Sequence, residues 1–215
     1  LMRLPMNMRY LMRRQCEVVV DVVSSLESAG FDRCLELGCS VGDALPILAE
    51  SFQTVVGVEI SKEKARIARG KIRGHGDVVL VDCPPNGRVR YPFEESGFDA
   101  VVSFSLLHHL DPGNQVHVLE EATRLVKPGG AVVFLEYNPV NPLAILTLLF
   151  GDEDAGARPL WRRTAKERLA RAGLEPIDDG YVLFFPGSLA RLARFERSLR
   201  ALPLGGKYFV AGTKR

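Results

Sequence analysis

Several things are scarce in this sequence. It has four cysteines, Cys16, Cys34, Cys39 and Cys83, and no two stand at C-x-x-C spacing. No histidine cluster accompanies them at metal-ligand spacing, so a zinc site and a disulfide framework are both excluded. Free thiols suit a reducing compartment, and a cytoplasmic location is expected. No apolar run approaches the roughly 20 residues that a membrane span needs. The longest near a loop is PLAILTLLF, residues 142–150. The N-terminal stretch is interrupted by arginine and proline, and no signal peptide is expected. No internal repeat, low-complexity tract or domain linker appears.

Charge of one sign is also missing. The 28 basic and 26 acidic residues leave a net charge of +2, a poor basis for nucleic-acid binding. Arginines do gather near the ends, including Arg191, Arg194, Arg197 and Arg200, and read as solvated helix faces. What the chain has in quantity is apolar residues, 47% of 215, enough for a packed core.

Those residues come in short β-rich runs separated by helical patterns. Residues 10–29 read as a helix that ends at Gly30. RCLELG, TVVGVEI, DVVLVDC, FDAVVSFS and AVVFLEY read as five strands. ALPILAESF, SKEKARIARGKI and residues 114–126 supply helices between them, and KPGG reads as a turn. Near-continuous Val, Leu and Ile runs alternating with helices predict a parallel sheet covered on both faces. Right-handed crossovers make it an α/β, doubly wound sheet. The last third is less regular. A helix is expected ahead of Gly173, IDDGYVLFFPG is expected to end in a strand, and GKYFVAGTK reads as a final strand. SLARLARFERSL, between those strands, reads as an amphipathic helix closing the sheet edge, with a substrate lid as the alternative.

LELGCSVGD, residues 35–43, runs a buried strand into a glycine turn. A P-loop would need glycine and lysine where Asp43 and Ala44 stand. A dinucleotide loop would need glycines at Ser40 and Asp43. The pattern that fits is acid–apolar–Gly–x–x–x–Gly: Glu36, Leu37, Gly38 and Gly42. A ligand without phosphates suits it, since loop amides can meet a carboxylate and Glu36 an amino group. Glu59 ends the second strand 21 positions after Gly38, where an acid can accept ribose hydroxyls.

On these residues the sequence resembles the class I S-adenosylmethionine-dependent methyltransferases. LELGCSVGD looks like their first motif, with Ser40 where a third glycine is common. FDAVVSFSLLHHLDP and EEATRLVKPGGAVVFLE look like their fourth-strand and fifth-strand motifs. The resemblance spans residues 30–136. It implies a mostly parallel, seven-stranded Rossmann-like sheet with helices on both faces. The whole chain, 1–215, then forms one domain with residues 1–29 as an N-terminal helical segment. It implies S-adenosylmethionine as cofactor and S-adenosylhomocysteine as product. Glu36, Gly38, Cys39, Ser40, Gly42, Glu59, Ile60, Asp82, Cys83, Ser103 and Phe104 become the expected cofactor-binding set. Asp82 stands where the family has an acid on the adenine amine, and Ile60 and Cys83 would lie beside the ring.

The acceptor should meet residues that follow the fourth and fifth strands. His109 and Tyr137 are the expected catalytic pair, and His108, Glu136 and Asn138 the expected substrate-binding residues. NPVNP, residues 138–142, follows the fifth strand and is not the motif of base-amino methyltransferases, which follows the fourth. Ser103 and Ser105 stand where metal-dependent relatives carry a carboxylate, so no metal is expected. The reading is methyl transfer to a small-molecule hydroxyl, with no stable nucleic-acid partner and no membrane span. The alternatives are an RNA or protein methyltransferase, and a nucleotide-binding protein of this fold without methyl transfer. The oligomeric state is not legible.

Overall fold

The computed structural model describes residues 6–150 and 157–215, with side chains described for 8–148 and 157–215. In chain order the elements are α1 (Met6–Ser24), β1 (Arg33–Leu37), α2 (Leu45–Leu48), β2 (Thr54–Glu59), α3 (Lys62–Ile72) and β3 (Gly76–Leu80). Then come β4 (Phe98–Phe104), α4 (Pro112–Leu125), β5 (Val126–Tyr137), α5 (Pro142–Phe150), α6 (Arg162–Arg171), β6 (Glu175–Val182), α7 (Glu196–Leu199) and β7 (Lys207–Thr213). The strands form one seven-stranded sheet in the order β3-β2-β1-β4-β5-β7-β6. β7 pairs antiparallel with both its neighbours, and the other pairings are parallel.

Side-chain alternation along the strands builds two cores. Cys34, Val55, Val133 and Leu135 face the layer of α1, α2 and α3. Leu35, Leu37, Val56, Val58 and Phe134 face the layer of α4 and α6. The period of two sends neighbours to opposite faces, and both faces are covered, so the strands read as unbroken apolar runs. α1 buries Cys16, Val19, Val22 and Val23, a helical stripe. α4 starts sharply because Asp111 Oδ1 accepts from the Gly113 and Asn114 amides, at 2.9 and 3.1 Å, and Pro112 opens the helix.

Several boundaries differ from expectation. KPGG does not turn the chain out of the sheet. Phe98 pairs with Val126 and Ala100 with Ala131, so residues 127–130 bulge opposite Asp99 within one strand. Asp99 holds the bulge through Lys127 Nζ at 2.7 Å. β6 occupies the start of its predicted segment rather than the end, and Leu183 leaves it with φ +62°. The segment expected to close the sheet edge is not a regular helix. Gly187–Phe195 forms 3-10 turns with a kink at Leu189, and none of its residues is buried.

The chain reverses direction of strand order at β1. β2 and β3 lie to one side and β4 and β5 to the other, which opens a crevice over the carboxyl ends of β1 and β4. The turn after β1 needs left-handed backbone at Gly38 (φ +69°), Ser40 (φ +49°) and Gly42 (φ +74°). A Cβ on Gly42 would lie 2.7 Å from Ala68 Cβ and 2.9 Å from its Cα, on α3. Gly42→Ala should therefore lower unfolding free energy by roughly 2–4 kcal/mol, joining a positive-φ penalty to overpacking against backbone. Urea denaturation measures it. Ser40→Gly, which relieves a strained φ, should change stability by less than about 1 kcal/mol.

Candidate functional site

Two buried carboxylates organise the carboxyl edge of the sheet. Glu59 ends β2 and is 8% exposed. Its Oε2 accepts from the Ser40 amide at 2.9 Å, which ties it to the glycine turn. Its Oε1 accepts from the Ile60 and Ser61 amides at 3.0 and 2.9 Å, at the approach to α3. A carboxylate offers about four lone-pair sites, so three donors leave one, on Oε2. Beside Glu59 the rim is open: Ile60 is 57% exposed, and Asp82 and Cys83 are exposed.

Glu36 lies in β1 and is buried. Its Oε2 has no hydrogen-bond partner among the described residues. Burial, then the nearby carboxyls of Asp43 and Glu59, raise its pKa from 4.5 to about 8. Asp43 itself pairs with Lys71 of α3. An acid buried without donors is held neutral by desolvation, and it would ionise if a cation came beside it.

Cys39 was expected to line the cofactor, but its side chain turns into the core. It is 3% exposed, and its Sγ would be 2.7 Å from a Cβ on Gly57. Its backbone amide donates to Val58 O at 2.9 Å. Ser103 is fully buried and donates its hydroxyl to Leu37 O at 2.9 Å, pinning β4 to β1. Its side chain is thus withdrawn from any ligand. Phe104 is half-buried against the first core.

Glu136, near the end of β5, is 1% exposed. Its Oε1 accepts from the Leu106 and Leu107 amides, at 3.0 and 2.7 Å, in the turn after β4. Its Oε2 is 2.6 Å from His108 Nδ1. His108 is also buried, its ring centroid 4.2 Å from that of His109 and 5.4 Å from that of Tyr137. His109 is exposed and Tyr137 half-buried. His108 and Glu136 were expected to touch substrate, and the structure places both side chains out of solvent and bonded to each other. Both are buried, and they position the turn on which His109 sits.

Asn138, also expected at the substrate, is buried as well. It is 1% exposed, and its Nδ2 donates to Pro203 O and Gly205 O at 3.1 and 2.8 Å. Its amide donates to Gly206 O at 3.1 Å, and Asn141 Nδ2 donates to Leu204 O at 2.7 Å. The two asparagines of NPVNP thus clamp four successive carbonyls of the loop before β7.

Lys207 was missed by sequence reading. It opens β7, is 9% exposed, bonds Ser105 Oγ and lies 4.8 Å from the Tyr137 ring centroid. A lysine after two glycines at a strand start is the only sequence signal, and nothing in it points to the far ends of β4 and β5. Ser105 has φ +67°, as the chain bends away from β4. Among the described residues no group of three His, Cys, Asp or Glu is placed to hold a metal ion.

A family model described as a methyltransferase domain matches residues 35–134. The chain is 28% identical over 128 residues to the sterol 4-C-methyltransferase strm-1 of Caenorhabditis elegans, covering 56% of this chain and 35% of that protein. It is 32% identical over 114 residues to the demethylmenaquinone methyltransferase of Clavibacter sepedonicus, covering 52% and 44%. The chain thus spans less than half the length of both relatives. A SAM-dependent methyltransferase from Archaeoglobus fulgidus has the same fold, with a TM-score of 0.70 at 18% identity over 96% of this chain and 94% of that one.

The raised pKa of Glu36 makes a stability prediction. Between pH 4.5 and about 8 the unfolded chain gives up this proton and the folded chain keeps it. Stability contributed by neutral Glu36 is complete below that window and is lost as pH rises through it. Glu36→Gln removes this dependence. The interval from 4.5 to about 8, at ~1.36 kcal/mol per decade, bounds the relative gain of the variant at ~5 kcal/mol above pH 8. Urea midpoints of both proteins from pH 5 to 9 measure it, and parallel curves would place the carboxyl in contact with water.

Proposed function

We propose that this chain is a class I S-adenosylmethionine-dependent methyltransferase that transfers a methyl group to a small organic acceptor, at a hydroxyl and without a metal ion; the methyltransferase-domain match over residues 35–134 supports the reading. The observation that carries the reading is Glu59. It holds the glycine turn in left-handed backbone and keeps one lone-pair site next to an open rim. A ribose hydroxyl fits that site, and exposed Ile60 and Asp82 offer an apolar face and a carboxylate to a base beyond it. The unpartnered Oε2 of Glu36 fits a ligand that brings a cationic amino group. Both features suit S-adenosylmethionine better than a dinucleotide, whose pyrophosphate would face Asp43.

S-adenosylmethionine supplies an activated methyl group on sulfur, which leaves the protein to align the acceptor and accept a proton. His109 is the candidate base. Its backbone is fixed by the turn that Glu136 and His108 hold, while its imidazole stays exposed. Tyr137, whose ring centroid lies 5.4 Å from that of His108, is the candidate for orienting the hydroxyl. Ser103 and Ser105, where a metal-dependent enzyme would carry a carboxylate, are neutral and spend their hydroxyls on Leu37 O and Lys207, which suits a reaction without a metal. The two relatives are named for a sterol and for demethylmenaquinone, which supports a small organic acceptor. The net charge of +2 offers an RNA no broad basic field.

Glu59→Gln keeps an acceptor oxygen but loses the charge on the hydrogen bonds. S-adenosylhomocysteine affinity should fall at least tenfold by calorimetry, about the worth of one charge-assisted bond. Unchanged affinity in a folded variant would sink the assignment. His109→Ala should lower turnover by ~10²–10⁴ and leave S-adenosylhomocysteine affinity nearly unchanged. The assay follows label from S-adenosylmethionine into a panel of phenols, quinols and sterols, with the methylated atom located by NMR. Label on carbon would replace the hydroxyl reading, and label only on RNA would overturn the small-molecule one.

A further inference from the structure

Residues 187–204, between β6 and β7, turn their apolar side chains outward. Leu189, Leu192 and Phe195 are 47%, 36% and 47% exposed, and Leu202 and Leu204 are 46% and 66% exposed. Leu192 and Phe195 stand three apart in 3-10 turns, a spacing that stacks side chains on one face. Neither core contains any of these five residues. Leu204 also adjoins the start of α5 through the Asn141 bond, and there Leu143 and Leu146 are 73% and 51% exposed. Five exposed large apolar residues thus fall within 16 positions of one connection, a density beyond that of singly scattered surface residues.

The charges around the patch say what it fits. Arg191 and Arg194 are exposed and have no carboxylate partner among the described residues. Arg194 lies over the Phe195 ring at 4.8 Å. Arg197 pairs with Asp21 at 2.5 Å, yet its side chain is 73% exposed. The only acid in residues 187–204 is Glu196, which is buried against Arg14 at 3.3 Å and the Phe184 amide at 3.2 Å. Asp21 and Asp178, from the elements behind, are engaged by Arg197 and Arg200. The face is therefore apolar at its centre and cationic at its rim, with no exposed carboxylate of its own.

We propose that this face docks on the surface of an anionic phospholipid bilayer. Leu189, Leu192 and Phe195 would enter the boundary between headgroups and acyl chains, and Arg191 and Arg194 would meet lipid phosphates. The arginine rim selects this occupant over a second copy of the chain. A two-fold interface through this patch would set the same arginines against one another. The inference stands apart from the proposed methyl transfer and needs no cofactor.

Vesicle sedimentation of the full chain tests it. The probes are vesicles of phosphatidylcholine alone and of phosphatidylcholine mixed with phosphatidylglycerol. The protein should sediment with the mixed vesicles and not with the neutral ones, and added salt should release it. Arg191→Ala with Arg194→Ala should weaken binding roughly 25-fold, at about 1 kcal/mol for each arginine. Leu192→Ser with Phe195→Ser should weaken it at least tenfold, with the thermal midpoint held because neither residue is buried. No sedimentation with mixed vesicles at low salt would overturn the proposal. So would equal binding by all variants, or a dimer in sedimentation equilibrium that only the Leu192→Ser, Phe195→Ser variant dissolves.

Discussion

A parallel sheet collects its loops at one edge, and the amides that leave each strand there have no partner in the ladder. This protein meets that constraint with carboxylates at or near strand ends. Glu59 at the end of β2 accepts from the loop after β1 and from the start of α3. Glu136 on β5 accepts from the turn after β4 and from His108. Each acid reaches inward over the neighbouring strand, so the two loops that border the β1–β4 crevice are each held by the acid beyond them. Ser103 closes the pair by bonding Leu37 O across the crevice floor. A Cβ on Gly38 would lie 3.0 Å from Leu106 Cδ1, so the two loops also touch. Charge-assisted hydrogen bonds contribute ~1.5–3 kcal/mol each, and a buried carboxylate stripped of its donors costs more. The shape of the crevice therefore follows from two side chains more than from the loops themselves.

This division of labour explains why most polar residues near the crevice are not exposed to it. A group that touches substrate needs an open face. A group that fixes a loop needs burial, because its hydrogen bonds gain strength where water is excluded. Glu136, His108, Asn138 and Ser103 are of the second kind. His109, Ile60 and Asp82 keep open faces. The sequence places His108 and His109 side by side, and the 3-10 turn over Leu107–His109 buries one ring against Glu136 and leaves the other exposed.

The strands and their order of appearance were legible because two-sided burial writes unbroken apolar runs. The acids at strand ends were legible by position, although what they accept from was not. Ser40 was legible as a glycine-like position, and its φ of +49° gives the reason. The misreadings share a cause. KPGG, β6 and residues 187–199 depend on partners far along the chain: Asp99, Arg200 and α1. Tyr181 N donates to Arg200 O, and Arg14 of α1 pairs with Glu196, contacts between residues far apart in sequence. Local pattern in SLARLARFERSL predicts its amphipathic character, but neither its kinked 3-10 backbone nor the outward turn of its apolar side chains. Periodicity tells that a stripe is apolar and does not tell which way it faces.

The asparagine clamp connects two regions that the fold would otherwise leave separate. Asn138 directly follows Tyr137, at the carboxyl end of β5. Together with Asn141 it donates to the carbonyls of Pro203, Leu204, Gly205 and Gly206. That loop carries exposed Leu204 on one side and leads into Lys207, which reaches Ser105 and the Tyr137 ring, on the other. A displacement of the loop would therefore be felt at Tyr137 by two routes, one through the backbone beside Asn138 and one through the lysine. Pro139 and Pro142 stiffen the intervening turn and limit how much of the displacement it can absorb. The outward apolar surface and the end of the crevice where an acceptor would sit thus share one small set of hydrogen bonds.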